Sequence, residues 1–287
     1  MKFLITGANG VVGCNLSKLL TEKYGFDVWG CGRTPSDDSK YFTLDLIDRA
    51  AVLDLFSKNS FDCVIHCAAN LNNDEPFGMF SNNLNSTLNI VEASLASGVQ
   101  KLFHTSGVPV IGKILELPVT EEHPTIPLTA YHLSKLQSEK IIEQYCKDKI
   151  DFINMRIPSP VGRNMPLRSV LPIFLEKIKN NEVITLTGDS SRKQNFLDIR
   201  DLASFIYKAI LVDGVSGVFN VAAKKPYSNL ELAKTIISRT GSSSKIVNDM
   251  VESNSSLQSW DVSTNKAKEY FGYVAENSLD ETIGWVI

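Results

Sequence analysis

The sequence predicts an α/β fold built on a doubly wound parallel sheet, and three observations carry that prediction. Near the N-terminus an apolar run, Phe3-Leu4-Ile5, stops at Thr6. A glycine turn follows, and apolar residues then recur at Val12, Leu16, Leu19 and Leu20, the pattern of a strand, a tight turn and a helix. Through the first half of the chain, short apolar runs alternate with stretches of helical periodicity, as a parallel sheet with helices on both faces requires. With 287 residues, 43% of them hydrophobic and 21% charged, the chain has the apolar content to bury such a core.

The turn reads Gly7-Ala8-Asn9-Gly10-Val11-Val12-Gly13. Gly7 permits the turn, Gly10 lets backbone amides come close to a pyrophosphate, and Gly13 lets the helix lie against the strand. The helix N-terminus then faces phosphates with unpaired N–H groups and a partial positive charge. Asp27-Val28-Trp29-Gly30-Cys31 is the second strand, ending at Gly32-Arg33-Thr34. Where such a turn binds NAD, an acidic residue about 20 positions on accepts hydrogen bonds from the ribose hydroxyls. Here Gly32 stands in that place, and Arg33 after it supplies charge for a 2′-phosphate, which favours NADP over NAD. An aspartate introduced at 32 is expected to reverse the preference.

Leu44-Asp45-Leu46 closes a short third strand, with Asp45 placed either to meet the adenine amino group or to cap a helix. Residues 50–58 read as a helix, and Asp62-Cys63-Val64-Ile65-His66-Cys67-Ala68-Ala69 as a buried strand ending in small residues, as a cofactor lying across the sheet needs. His66 is expected to be a satisfied core histidine. Residues 82–97 carry a helical period through Leu84, Leu88, Val91 and Leu95, and Lys101-Leu102-Phe103-His104-Thr105-Ser106 is a strand running into a hydroxyl pair. The stretch from Pro127 to Lys135 opens a helix that continues to about Cys146, and Asp151-Phe152-Ile153-Asn154-Met155-Arg156 is the next strand.

From Pro158 the composition turns to Pro, Ser, Asn and Arg and the alternation loosens. This divides the chain into a cofactor-binding core, 1–160, and a smaller substrate-binding part, 161–287. The two are interleaved, because Phe196-Leu197-Asp198-Ile199, a helix over 201–211 and Val218-Phe219-Asn220-Val221 again look like sheet-forming units. Residues 230–239 form an amphipathic helix stopped near Gly241, and 242–256 read as a polar connection.

A net charge of −3 and a pI near 5.9 give no electrostatic case for nucleic acid or an anionic membrane surface. The five cysteines are odd in number and their spacing suits no zinc site, so they read as small buried hydrophobes in a reducing compartment, and no metal is expected. The first strand begins at once and no apolar run approaches a membrane span, which makes the cytoplasm the expected location.

Tyr131 and Lys135 are four apart at a helix start and share one face. A lysine ammonium beside a phenol, with an oxidised nicotinamide ring nearby, favours the phenolate and lowers the tyrosine pKa, so Tyr131 is a candidate general acid or base. Ser106 is placed to give the same substrate oxygen a second hydrogen bond.

These segments together resemble the extended short-chain dehydrogenase/reductase family, the NAD-dependent epimerase/dehydratase group. The resemblance runs through Thr6 to Gly13, Asp45-Leu46-Ile47-Asp48, Ile65-His66-Cys67-Ala68-Ala69, Asn83-Leu84-Asn85-Ser86-Thr87, Tyr131 to Lys135, Gly188-Asp189, Phe196 to Asp201, and Asp261-Val262-Ser263. It implies a Rossmann-type sheet with Tyr131 as acid/base, Lys135 on the nicotinamide ribose and Ser106 orienting the substrate. The cofactor site is expected to comprise Gly7, Asn9, Gly10, Val11, Val12, Gly13, Arg33, Asp45, Leu46, Cys67, Ala68, Ala69, Asn83, Tyr131, Lys135 and Ile157. The family commonly dimerises through the helices that here are 82–97 and 131–146.

The departures are also informative. Val110-Ile111-Gly112 lies one residue further from Ser106 than the family's Val-Tyr-Gly, which implies a loop insertion and keeps Thr105 as an alternative. Thr105-Ser106-Gly107 lacks the acid and base that water elimination needs. Gln194 stands where many nucleotide-sugar enzymes have an arginine; Arg192, two residues earlier, is the alternative partner for a diphosphate. Ser159 replaces a frequent asparagine.

The expected reaction is hydride transfer at C4 of a nucleotide-linked hexose, as a 4-epimerase or a 4-keto reductase, with Gly32-Arg33 leaning toward the NADP-using reductase. Gln194 favours a non-nucleotide carbonyl substrate as the alternative. A non-catalytic dinucleotide-sensing or RNA-associated protein is the third reading, and the intact Tyr131 and Lys135 speak against it.

Overall fold

In the computed structural model, which describes residues 1–187, 192–249 and 259–287, the main sheet grows in two excursions from one starting strand. β1 (Lys2–Thr6) leads through α1 (Val11–Glu22) to β2 (Asp27–Gly32) and β3 (Tyr41–Thr43). α2 (Arg49–Lys58) carries the chain back, and β4 (Cys63–His66), α3 (Pro76–Ser97), β5 (Lys101–Gly107), α4 (Ala130–Cys146) and β6 (Asp151–Ile157) build the other side. β7 (Ser159–Val161), α5 (Val170–Lys179), β8 (Ile184–Thr187), β9 (Lys193–Gln194) and β10 (Phe196–Asp198) leave the sheet, and α6 (Ile199–Ile210) and β11 (Gly217–Asn220) return to it. β12 (Tyr227–Ser228), α7 (Asn229–Thr240), β13 (Ile246–Asp249), α8 (Asn265–Phe271) and α9 (Leu279–Val286) follow.

The seven strands lie in the order β11-β6-β5-β4-β1-β2-β3, every neighbouring pair parallel. The direction of growth reverses between β1 and β4, the switch point at which ligands of open α/β sheets bind.

Period-two alternation sends Phe3, Ile5, Ile65 and Phe103 to the face covered by α1 and α6, where Leu16, Leu20 and Ile206 meet them. Leu4, Val64 and Leu102 go to the opposite face, against Val52 of α2, Ile90 of α3 and Ile142 of α4. Because both faces are covered, the strands are continuous apolar runs. A third cluster, with Phe174, Ile184, Leu186, Phe196, Leu232, Ile236 and Ile283, joins α5, β8, α7 and α9 beyond the sheet's C-terminal edge. α6 and α8 instead pack on the main sheet, where Phe205 and Phe271 meet Phe219 of its edge strand β11.

Three elements differ from the sequence reading. The third strand is Tyr41–Thr43 and ends just before Leu44-Asp45-Leu46, because Phe42 stacks on Trp29 with ring centroids 5.2 Å apart and fixes the register. α3 begins at Pro76 and not at 82, since a proline at the first helical position nucleates a turn whose Phe77 stays 91% exposed and leaves no apolar period. The stretch read as a polar connection contains β13, which pairs with β8 in parallel; its last part, 250–256, lies outside the described residues.

Two histidines are buried inside the sheet. His66 Nδ1 lies 2.8 Å from Thr6 Oγ1 and Nε2 3.3 Å from Thr87 Oγ1, and burial pushes its pKa down to about 3. His104 stacks on it at 5.8 Å, hydrogen-bonds Asn154 Oδ1 at 3.0 Å and is held well below the ordinary histidine range, also by burial. Between pH 6.5 and the folded values, only the unfolded chain holds these protons, so acid draws the protein toward unfolding. Stability is expected to fall by up to about 1.4 kcal/mol per histidine per pH unit as pH drops below 6.5. Denaturant melts at pH 7.5, 6 and 5 check this; equal midpoints across that range would show that neither ring matters.

Candidate active site

A cleft of about 760 Å³ runs along the C-terminal edge of the sheet, from the glycine turn to the start of α5. Its floor at the switch point is the turn itself. Gly7 has φ +65°, and a Cβ there would lie 2.8 Å from the backbone of Ala68, so the turn rests directly on the exit of β4. A Cβ on Gly10 would meet the Gly7 carbonyl at 3.2 Å, and one on Gly13 would come within 2.9 Å of Ala8 Cα. The N–H groups of Val11, Val12 and Gly13 have no intrahelical partner, and the first turn of α1 holds no acidic side chain to neutralise its dipole. This cradle, which side chains would fill, fits the pyrophosphate of a dinucleotide.

Arg33, Asp45 and Leu46 line the end beyond β2. Arg33 is exposed and makes no ion pair among the described residues. The Asp45 carboxylate accepts from the Ile47 N–H at 3.2 Å, and Leu46 is buried beneath it. Asn9 does not line the cleft. Its amide donates to the Thr34 carbonyl at 3.0 Å and to Tyr41 Oη at 2.9 Å, so it braces the loop that carries Arg33.

On the other side of the turn, Cys67, Ala68 and Ala69 leave β4 as small lining residues, and Ile157 faces them from the end of β6. Asn83 also lines this region, but its polar atoms are engaged: Oδ1 accepts from Asn70 N–H at 2.7 Å, and Nδ2 donates to Asn70 O at 3.1 Å and Ser134 Oγ at 3.0 Å. It ties the loop after β4 to α4.

Thr129 caps α4 by accepting from the His132 N–H at 3.1 Å, which sets Tyr131 and Lys135 one turn apart on the cleft wall. Lys135 is 4% exposed, and its Nζ donates to the Thr105 carbonyl at 2.8 Å. Burial lowers its pKa to about 8 and raises that of Tyr131 to about 12.

The two hydroxyls that end β5 are both spoken for as donors. Thr105 Oγ1 donates to the His66 carbonyl at 3.2 Å. Ser106 Oγ donates to Glu139 Oε1 at 2.5 Å, and Glu139 in turn receives Arg156 Nη2 at 2.8 Å and Nε at 3.1 Å. Ser106 lines the cleft, with its proton directed into this buried ion pair.

At the far end, Ser159 and Gln194 line the cleft, with Gln194 Nε2 donating to Asn229 Oδ1 at 3.3 Å. Arg192 is exposed and outside it, and the Gly188-Asp189 pair lies outside the described residues. The cation that does reach this end is Arg168, which together with Ser169 precedes α5. Sequence reasoning missed it, as it missed His132, whose Nδ1 is 2.9 Å from Thr129 Oγ1 and whose ring stands edge-on to Tyr131 at 5.4 Å. Ser169 before an apolar helical run was the available signal for the first, and adjacency to Tyr131 for the second.

Among the described residues no cluster of His, Cys, Asp or Glu is arranged to hold a metal ion, and no helix is long and apolar enough to cross a membrane.

A glycine cradle at the switch point, continuous with a cleft walled by a tyrosine and a lysine one helical turn apart, defines an enzyme of the extended short-chain dehydrogenase/reductase type. More particularly, the chain belongs to the NAD dependent epimerase/dehydratase family, whose model matches residues 3–222. It is 26% identical over 271 residues to a UDP-glucose 4-epimerase of Halalkalibacterium halodurans, covering 84% of this chain and 81% of that one. It is 27% identical over 256 residues to a dTDP-4-dehydro-6-deoxyglucose reductase of Escherichia coli, covering 81% and 80%. Its fold is that of the UDP-glucose 4-epimerase of Thermotoga maritima solved with UDP-glucose, at TM-score 0.88 and 21% identity, covering 99% and 98% of the two chains.

Proposed function

We propose that this enzyme transfers a hydride to or from C4 of a nucleotide-linked hexose, as a 4-keto reductase or a 4-epimerase, using NADP in preference to NAD. The observation that carries the reading is the placement of Tyr131 and Lys135 on one wall of a cleft that the glycine cradle closes at its other end. The cofactor supplies the hydride chemistry when bound; residues 1–160 hold it and 161–287 hold the substrate. Gly7, Gly10, Val11, Val12 and Gly13 take the pyrophosphate, Arg33, Asp45 and Leu46 the adenosine end, and Cys67, Ala68, Ala69, Asn83 and Ile157 the nicotinamide end. Tyr131 moves the proton at the substrate oxygen, Lys135 holds the nicotinamide ribose, and Ser106, which lines the cleft and hydrogen-bonds Glu139, orients the substrate. Arg168 takes the diphosphate contact first assigned to Arg192, with Ser159 and Gln194 beside it.

One observation favours a reductase of a non-nucleotide carbonyl as a second reading: Gln194 in the cleft is uncharged and already bonded to Asn229. Incubating the protein and either dinucleotide with UDP-glucose, with UDP-N-acetylglucosamine, with the 4-keto sugar dTDP-4-dehydro-6-deoxyglucose and with simple ketones, and following products by NMR, tests the two. Turnover of a nucleotide sugar is expected; turnover of ketones alone would overturn the first reading. The free thiols suit a cytoplasmic enzyme, and we expect a homodimer through α3 and α4, measurable by sedimentation.

For the cofactor, Arg33 paired with a 2′-phosphate is a charge-assisted contact of roughly 1.5–3 kcal/mol. NADPH should therefore bind about 10- to 100-fold more tightly than NADH. Arg33→Ala should erase most of that difference and leave NADH binding nearly unchanged. Equal wild-type affinities in a fluorescence titration would defeat the NADP assignment.

A further inference from the structure

Gly32 lines the cleft at the end of β2, where an acidic side chain would reach the adenosine ribose. The space that such a side chain needs is already filled. A Cβ on Gly32 would lie 2.6 Å from Tyr41 Oη, and one on Gly30 would lie 3.0 Å from Tyr41 Cδ2. The ring of Tyr41 thus lies along β2 from Gly30 to Gly32, set there by the pairing of Gly30 with Tyr41 across the parallel β2–β3 ladder. Gly32 makes way for it, and Gly30 for both the ring and Ala8 Cβ, which a Cβ there would meet at 2.8 Å.

The hydroxyl is held and not merely parked. Tyr41 Oη accepts from Asn9 Nδ2 at 2.9 Å, and Asn9 also holds the Thr34 carbonyl, so the glycine turn, the Arg33 loop and Tyr41 are locked as one unit. Tyr41 does not itself line the cleft, but its Oη reaches Gly32, which does, and among the described residues it donates to nothing, which leaves its proton for a ligand there. Burial raises its pKa, so it stays a neutral phenol.

We propose that Tyr41, reaching over from β3, is the residue that reads the 2′ position of the adenosine ribose, its hydroxyl standing in for the carboxylate that Gly32 lacks. The inference rests on the dinucleotide reading of the cleft given above. A neutral donor hydrogen-bonds a ribose hydroxyl and a 2′-phosphate alike, whereas a carboxylate accepts from the first and repels the second. Tyr41 therefore permits either cofactor, and Arg33 tips the choice. On this proposal Gly32→Asp alone does not reverse the preference, since the new side chain has first to displace Tyr41 Oη.

Direct titration of the purified protein with NADPH and with NADH, followed by ligand fluorescence, tests this without reference to turnover. Tyr41→Phe keeps the ring over the glycines and removes only the hydroxyl, so its melting temperature should match wild type while both cofactors bind about tenfold more weakly, as loss of one hydrogen bond gives. Gly32→Asp should weaken both cofactors, and the Gly32→Asp/Tyr41→Ala double variant, with room for the carboxylate, should favour NADH by about tenfold or more. Unchanged affinities in Tyr41→Phe, or a full switch to NADH by Gly32→Asp alone, would overturn the role of Tyr41. Failure of the wild type to bind either dinucleotide would instead overturn the reading of the cleft on which it rests.

Discussion

Tyr131→Phe is expected to fold and to bind cofactor as the wild type does, while turnover of a nucleotide-sugar substrate falls by about 10²- to 10⁴-fold, the usual worth of a positioned acid/base. Among the described residues the phenol makes no hydrogen bond, so its removal leaves no partner stranded. Its backbone carbonyl, which receives the Ser134 hydroxyl at 2.7 Å, is untouched. The loss therefore belongs in kcat and not in cofactor affinity. With its pKa raised to about 12 by burial in the ligand-free cleft, Tyr131 is a proton donor at neutral pH, which suits reduction of a ketone. For the reverse direction the phenolate must be stabilised in the loaded cleft, where Lys135 is the cation within one helical turn. Stopped-flow and steady-state rates beside a cofactor titration check the prediction. A variant within a few-fold of wild-type kcat would remove Tyr131 from the chemistry.

What the sequence made legible follows from which constraints act on single residues. Gly7 and Gly13 are visible because a positive φ or a close backbone approach forces them, and Gly10 because a side chain there would crowd the Gly7 carbonyl. β1 and β4 are visible because burial on both faces writes short apolar runs, Phe3-Leu4-Ile5 and Cys63-Val64-Ile65. Tyr131 and Lys135 are visible because helical spacing alone puts them on one face. The rest depends on contacts made across long stretches of chain. Asn9 looks like a phosphate ligand until its amide is seen to reach Thr34 and Tyr41, 25 and 32 residues on. Two arginines, Arg168 and Arg192, are equally polar and equally flanked by loop. Only the fold of the segment before α5 brings the first into the cleft and leaves the second outside. β13 escapes because an edge strand with exposed Val247, Asn248 and Asp249 carries almost no apolar signal.

Ser106 connects the cleft to the second large effect. Glu139 and Arg156 are 1% and 4% exposed, their guanidinium and carboxylate groups joined by two hydrogen bonds between α4 and β6. Arg156 also donates to the Glu121 carbonyl at 3.1 Å, and the Ser106 hydroxyl donates a hydrogen bond to Glu139. Glu139→Ala leaves a guanidinium buried without its counter-charge and a serine hydroxyl without its acceptor. Breaking such a pair from one side costs about 3–5 kcal/mol, most of it the penalty of the stranded charge and not the worth of the pair itself. That distinction gives the test two arms. Glu139→Ala should lose this stability in urea melts, and Ser106, freed from the carboxylate, should alter substrate KM as well. Glu139→Leu/Arg156→Met, which removes both charges and keeps the volume, should recover most of the loss, because the desolvation penalty disappears along with the attraction. If the double variant is as unstable as the single, the contacts of Arg156 to the Glu121 loop, and not the ion pair, hold β6 against α4.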